Sequence, residues 1–221
     1  MFDLISLSDL MFVIDILAVI VFAATGALVA SRKGLDLLGF MWLATLTGVG
    51  GGTIRDLILD VPVFWLSNPT YVTACLITAL ILHFTASLVE SRYRLLLWLD
   101  ALGLALFTIA GTAKGLDHGS GALIAVVMGV ITGSVGGIVR DVVGGEPSVI
   151  LRHEIYVTAS ALGACIYVLL IAQTIAPTFA AAAGFVVTFA VRGLAIAYNL
   201  RLPVWSRKPS RPVDRDDSDF R

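Results

Sequence analysis

The sequence predicts an all-α integral membrane protein: seven transmembrane helices, arranged as two inverted three-helix repeats plus one extra helix. Three observations carry this reading. Of 221 residues, 58% are hydrophobic and only 14% charged, against about 25% charged in soluble domains. Apolar windows long enough for the ~20 residues of a spanning helix recur along the chain. Residues 46–74 (LTGVGGGTIRDLILDVPVFWLSNPTYVTA) align without a gap on residues 131–159 (ITGSVGGIVRDVVGGEPSVILRHEIYVTA), at an offset of 85.

Read between polar breaks, the spans fall near residues 10–31, 36–58, 69–90, 95–115, 120–143, 154–173 and 178–200. Residues 1–9 hold Asp3 and Asp9 but no Lys or Arg, and the apolar stretch after them is long enough to span. That pattern is not expected of a cleavable signal peptide. With seven spans, Arg32, Lys33, Arg92, Arg94, Arg152 and the six basic residues from Arg201 to Arg221 share one side, 11 in all, against Lys114 alone on the other. The positive-inside rule then places the C-terminus in the cytoplasm and the N-terminus outside, in a cell (inner) membrane. Residues 1–200 read as one membrane domain. Residues 201–221, which mix both charges with Pro and Ser, read as a disordered cytoplasmic tail.

The repeat extends beyond the two aligned lines. Residues 15–74 and 100–159 share 18 identities in 60 positions, among them Asp15 with Asp100, Gly26 with Gly111 and Pro62 with Pro147. Apolar bias would match Leu, Val and Ala; it does not supply Gly, Asp, Arg, Pro and Tyr. The first unit covers about residues 10–90, the second about 95–173, and the seventh helix, about 178–200, is left over. Three spans are an odd number, so the second unit enters the membrane upside down, the inverted-repeat plan of many transport proteins.

The second and fifth spans hold the glycines: Gly48, Gly50, Gly51 and Gly52 in one, Gly133, Gly136 and Gly137 in the other. Each Gly costs roughly 1 kcal/mol of helix propensity relative to Ala, so both helices are expected to kink or unwind there. Carbonyls freed at such a break replace part of a cation's hydration shell, and Thr47 and Thr132 stand ready to add hydroxyl oxygens. Close helix packing is the other reading of the same glycines.

After each cluster comes an Arg-Asp pair, Arg55-Asp56 and Arg140-Asp141. Charges inside a membrane pair or face water. Neighbouring helical residues point about 100° apart, so Arg55 is not expected to pair with Asp56. Depth instead matches Arg55 with Asp15 and Arg140 with Asp100. These charges either tie each repeat together or line and gate a path; the two roles are compatible. Lys114 reads as a snorkelling anchor or a mobile charge, and Arg192 needs a partner or water within the seventh span. Trp42, Trp65, Trp98 and Trp205 read as belt residues at the membrane interfaces.

Several function classes drop out. There is no basic domain to meet phosphates, so no nucleic-acid partner is expected. His83, His118 and His153 lack metal-ligand spacing, and Cys75 and Cys165 read as small hydrophobes. No nucleophile is matched to a base, so no enzyme and no cofactor are expected.

At Gly51-Gly52-Thr53-Ile54-Arg55-Asp56 and Gly136-Gly137-Ile138-Val139-Arg140-Asp141 the chain resembles the prokaryotic branch of the trimeric intracellular cation (TRIC) channels. The resemblance covers nearly everything up to about residue 200. It implies a homotrimer in the lipid bilayer with one ion pathway per protomer, bounded by the kinked second and fifth helices. It also implies passage of monovalent cations, potassium above all, with K+ or Na+ as the permeant ion. Prokaryotic relatives also carry the label of glycine or small-solute transporters, and inverted repeats suit alternating access as readily as a pore.

Overall fold

The computed structural model describes residues 7–88, 92–148 and 155–201. Among these there is no strand. The helices are α1 (Leu7–Lys33), α2 (Leu37–Ile58), α3 (Phe64–Ser67), α4 (Thr70–Thr85, continued by a 3-10 turn at Ala86–Leu88), α5 (Arg92–Asp117), α6 (Gly121–Val143), α7 (Val157–Ala172) and α8 (Pro177–Tyr198). Six are long and apolar enough to cross a membrane, and α7 is apolar but only 16 residues long. The sequence starts this sixth span at residue 154, which lies outside the described residues. The expected tail after Arg201 lies outside them too, as do Arg152, His153 and Trp205.

Local chemistry sets the boundaries. α1 ends at Gly34, whose φ of +66° suits a residue without Cβ. Asp36 then caps α2, accepting from the Gly39 N–H at 2.8 Å. The α5–α6 connection repeats the device 85 residues on, with Gly119 at φ +69°. Pro177 opens α8, where its missing N–H costs nothing, and Asn199 closes it in the left-handed region. The sequence reading missed α3, a single helical turn inside the loop after α2.

Packing follows the repeat. α1 packs on α2 and α4, and α2 on α4; the same three contacts recur as α5 on α6 and α7, and α6 on α7. The units are joined by α1 against α5 and α2 against α6. Phe22 and its 85-residue counterpart Phe107 meet edge to face, ring centroids 5.2 Å apart. Much of the core is Ala with a few large apolar side chains, such as Ala18, Ala23, Ala27, Ala101 and Ala105. Lipid is as apolar as a Leu side chain, so close backbone approach, rather than burial of oil, drives such packing. α8 belongs to neither unit and packs on α5 and α7.

Candidate functional site

The glycine clusters do not interrupt their helices: α2 is helical throughout Leu37–Ile58 and α6 throughout Gly121–Val143. The expected unwound segment is absent, and the reason is visible in what surrounds each glycine. A Cβ on Gly51 would land on the Thr132 carbonyl, and one on Gly136 would lie 2.6 Å from the Thr47 carbonyl. The two helices therefore cross backbone to backbone, each glycine seated on a carbonyl of the other. Gly48 and Gly133 give room to their own unit instead, facing the Val19 and Leu104 carbonyls of α1 and α5. Gly52 makes way for the Phe64 ring, and Gly137 for the Tyr156 hydroxyl. At Gly50, alone of the α2 cluster, a Cβ would meet only ordinary van der Waals contact, with Val139 Cγ2 of α6 at 4.0 Å. Close approach repays what the missing side chains cost in propensity.

Thr47 and Thr132 present carbonyls, not hydroxyls, to this crossing. The Thr47 hydroxyl donates to the Leu43 carbonyl at 2.6 Å and abuts Gly26 of α1; the Thr132 hydroxyl donates to the Met128 carbonyl at 2.6 Å and abuts Gly111 of α5.

A charge centre lies beside the crossing in each unit. In the first, Arg55 Nη1 stands 3.8 Å from Asp15, and Arg55 Nε donates to Asp56 at 2.8 Å. In the second, Arg140 Nη1 donates to Asp100 at 2.6 Å and Nη2 to Asp141 at 2.9 Å. Both arginines are buried, as are Asp56, Asp100 and Asp141. The depth match of Asp15 with Arg55 and of Asp100 with Arg140 is thus present as ion pairs. The adjacent pair Arg55–Asp56 overturns the expectation that it would not form, and Arg140–Asp141 repeats it. Helical projection separates Cβ atoms, but a guanidinium on four rotatable bonds swings back across that angle to reach the short Asp carboxylate.

Sequence reasoning singled out Lys114 but not its partner. Its ammonium donates to Asp56 Oδ1 at 2.8 Å, tying α5 to α2 instead of reaching for the membrane surface. The other oxygen of Asp56 accepts the Phe64 N–H at 2.9 Å, which fixes the start of α3. Arg55 lies over the Phe64 ring at 5.6 Å, and Trp65 donates to the Thr53 hydroxyl at 2.9 Å. Only the double motif could have hinted at α3, since Pro62 and Pro147 mark the turn after each helix.

The two centres differ in openness. A cavity of about 350 Å³, lined by Asp15, Asn68, Tyr71, Lys114, Asp117 and His118 among others, opens onto the first. At the second, Asp100, Arg140 and Asp141 border a space of only about 10 Å³. Glu146 holds Arg32 at 3.3 Å and Lys33 at 3.4 Å beside it. Among the described residues no His, Cys, Asp or Glu cluster could hold a metal ion.

Comparison with known proteins fits this geometry. The family profile described as "Glycine transporter" matches the chain twice, over residues 12–87 and 97–172, two segments that start 85 residues apart. The UPF0126 inner membrane protein YadS of Escherichia coli K12 is 41% identical over 203 residues, 89% of this chain and 97% of the relative. A UPF0126 membrane protein of Vibrio cholerae is 39% identical over 204 residues, 90% of this chain and 84% of the relative. Among solved structures, the TRIC trimeric intracellular cation channel orthologue from Rhodobacter sphaeroides superposes with a TM-score of 0.85 at 49% identity, over 86% of this chain and 99% of that one. A prokaryotic TRIC channel crystallised in 0.5 M KCl gives 0.83 at 26% identity, over 89% and 100%. These similar structures are ion channels, not enzymes. The chain is a multi-pass membrane protein of the prokaryotic TRIC family, the one whose profile is described as "Glycine transporter".

Proposed function

We propose that the chain forms a homotrimeric channel for monovalent cations, chiefly potassium, with one pore in each protomer around α2 and α6. The observation that carries this reading is the α2–α6 crossing. Backbone carbonyls and glycines meet there with no side chain between them, and a paired charge centre stands on each flank. A cation path needs oxygen dipoles in place of hydration water and fixed charges that exclude anions. Thr47, Gly48, Gly50, Gly51 and Gly52, with Thr132, Gly133, Gly136 and Gly137, form its waist. Asp15, Arg55, Asp56 and Lys114 stand at one end, and Asp100, Arg140 and Asp141 at the other. A kink of α2 or α6 at these clusters would widen the waist, because the two backbones meet directly there.

In this reading the units are inverted repeats, the N-terminus faces outside and the C-terminus the cytoplasm. The 350 Å³ cavity then opens outward and the second centre seals the cytoplasmic end. The deciding experiment is single-channel recording of purified protein in planar bilayers. Discrete unitary potassium currents that need no organic solute are the expected result.

One observation favours a second reading, a secondary transporter of glycine or another small solute: a sizeable cavity with both charge signs on its wall at the first centre, against a very small space at the second, suits alternating access. Solute-dependent, saturable uptake into proteoliposomes with no unitary currents would decide for the transporter.

A further inference from the structure

We propose that Phe22 and Phe107 form the hydrophobic gate of the path, a dry layer that closes it between the two charge centres. This rests on reading the chain as a cation path through inverted repeats. Phe22 follows Asp15 on α1 by seven residues, and Phe107 follows Asp100 on α5 by the same seven. Seven residues make two helical turns, so each ring shares a helix face with its carboxylate, about 10 Å further along the axis. α1 and α5 pack on each other, and inversion runs them in opposite directions. Asp15 and Asp100 therefore lie on opposite sides of the ring pair.

The rings fill that level. Their centroids are 5.2 Å apart, edge to face, and both side chains are buried. Two rings 85 residues apart that touch each other straddle the axis relating the units. Phe22 also lies on Gly103 of α5 and on Gly136 of α6, where an added Cβ would stand 2.8 Å from its Cδ2. Gly136 is the glycine seated on the Thr47 carbonyl, so the ring borders the α2–α6 crossing itself. Ala110, one turn past Phe107, lines the large cavity. Its 85-residue counterpart Thr25, one turn past Phe22 on the other side of the pair, is buried.

The hydroxyls around this layer are already bonded. Thr25 donates to the Phe22 carbonyl at 2.8 Å, Thr47 and Thr132 to carbonyls of their own helices, and Thr108 bonds with Ser160 at 2.7 Å. A buried water needs about two to four polar partners, and a pair of phenyl rings supplies none. An apolar constriction of this kind stops ions by staying dry. Because Phe22 rests on Gly136, parting α2 from α6 at the crossing also unseats the ring. Crossing and gate then open together.

The test reads wetting of the layer and does not require conduction. Thr25→Cys places a thiol beyond the rings and Ala110→Cys one on the cavity wall, each made with the exposed Cys165 changed to Ser. Both are labelled in micelles with a charged methanethiosulfonate, and the buried Cys75 serves as internal reference. In the parent, Ala110→Cys should label much faster than Thr25→Cys; equal rates would overturn the proposal. Phe107→Thr and Phe107→Val remove the same bulk, but only Thr brings a hydroxyl that anchors water, and apolar cavities stay dry. Phe107→Thr should speed labelling of Thr25→Cys roughly tenfold, the scale of one added hydrogen bond. Phe107→Val should leave it close to the parent rate. Equal rates for the two variants, both slow or both fast, would overturn the gate. Equal acceleration at Cys75 would do the same, since it would mean loosened packing alone. If Phe107→Thr does not yield folded protein, the same two changes at Phe22 decide by the same criterion. Absence of unitary currents would count against the channel, whereas equal labelling of the Thr and Val variants counts only against the gate.

Discussion

Lys114 of α5 donates to Asp56 of α2 at 2.8 Å and so joins the second unit to the first at the centre that faces the large cavity. Asp56 gathers three donors, the Lys114 ammonium, Arg55 Nε and the Phe64 N–H. Asp56→Asn weakens all three and leaves two cations with one carboxylate between them, while Lys114→Met removes one donor that is partly exposed. Removing a partner of a fully buried pair costs about 3–5 kcal/mol, and partial exposure discounts this, so Lys114→Met should cost about 1–2 kcal/mol. Thermal unfolding in micelles should rank Asp56→Asn as the more destabilised. The reverse order would mean that Lys114 has other business than Asp56.

The two depth-matched pairs differ in geometry and so should differ in coupling. Asp100–Arg140 is a 2.6 Å hydrogen bond between fully buried groups; Asp15–Arg55 is a 3.8 Å contact with Asp15 partly exposed to the cavity. Double-mutant cycles with Asn and Gln replacements should place the Asp100–Arg140 coupling near the upper end of the usual range of about 0.5–3 kcal/mol, and Asp15–Arg55 near its lower end. Simple additivity at Asp100 and Arg140 would remove the pairing argument.

Much of this site was legible before any coordinates. An offset of 85 with Asp, Arg and Gly in register was enough to pair Asp15 with Arg55 and Asp100 with Arg140, because depth in a membrane orders residues as sheet register does elsewhere. What escaped depends on side-chain reach and on contacts between the units. Arg55 bends back to Asp56 through rotamers that a helical wheel ignores. Lys114 and Arg192 meet Asp56 and Tyr156 only because α5 and α8 pack where they do, and neither residue has a counterpart in the other unit to mark it. The local cost in propensity of the glycine clusters suggested a break, whereas tertiary contact at Thr47 and Thr132 keeps both helices continuous. Propensity lost to the packing of its neighbours.

Orientation is testable separately. Eleven basic residues against Lys114 predict that a reporter fused after Arg221 reads cytoplasm and one placed before Met1 reads outside. Both termini on one side would remove the seven-span count and the inversion of the repeats together.

The sharpest test of the crossing uses three neighbouring glycines that face different surroundings. A Cβ at Gly51 falls on the Thr132 carbonyl, and one at Gly136 lies 2.6 Å from the Thr47 carbonyl, but at Gly50 the nearest atom outside its own helix is Val139 Cγ2, 4.0 Å away. A backbone carbonyl cannot rotate aside as a side chain can, so Gly51→Ala and Gly136→Ala must part the helices, at the cost of about 1–3 kcal/mol typical of overpacking. Gly50→Ala meets no obstacle and gains helix propensity, so it should be neutral or stabilising by up to about 1 kcal/mol. Unfolding midpoints of the three variants check this order, and equal destabilisation of all three would contradict the crossing as described. Gly50→Leu then separates packing from permeation. Its side chain extends toward Val139 beside the waist, and unitary potassium conductance of the folded variant should fall severalfold. A folded Gly50→Leu protein with wild-type conductance would take Gly50 off the ion path and move the path to the far side of α2.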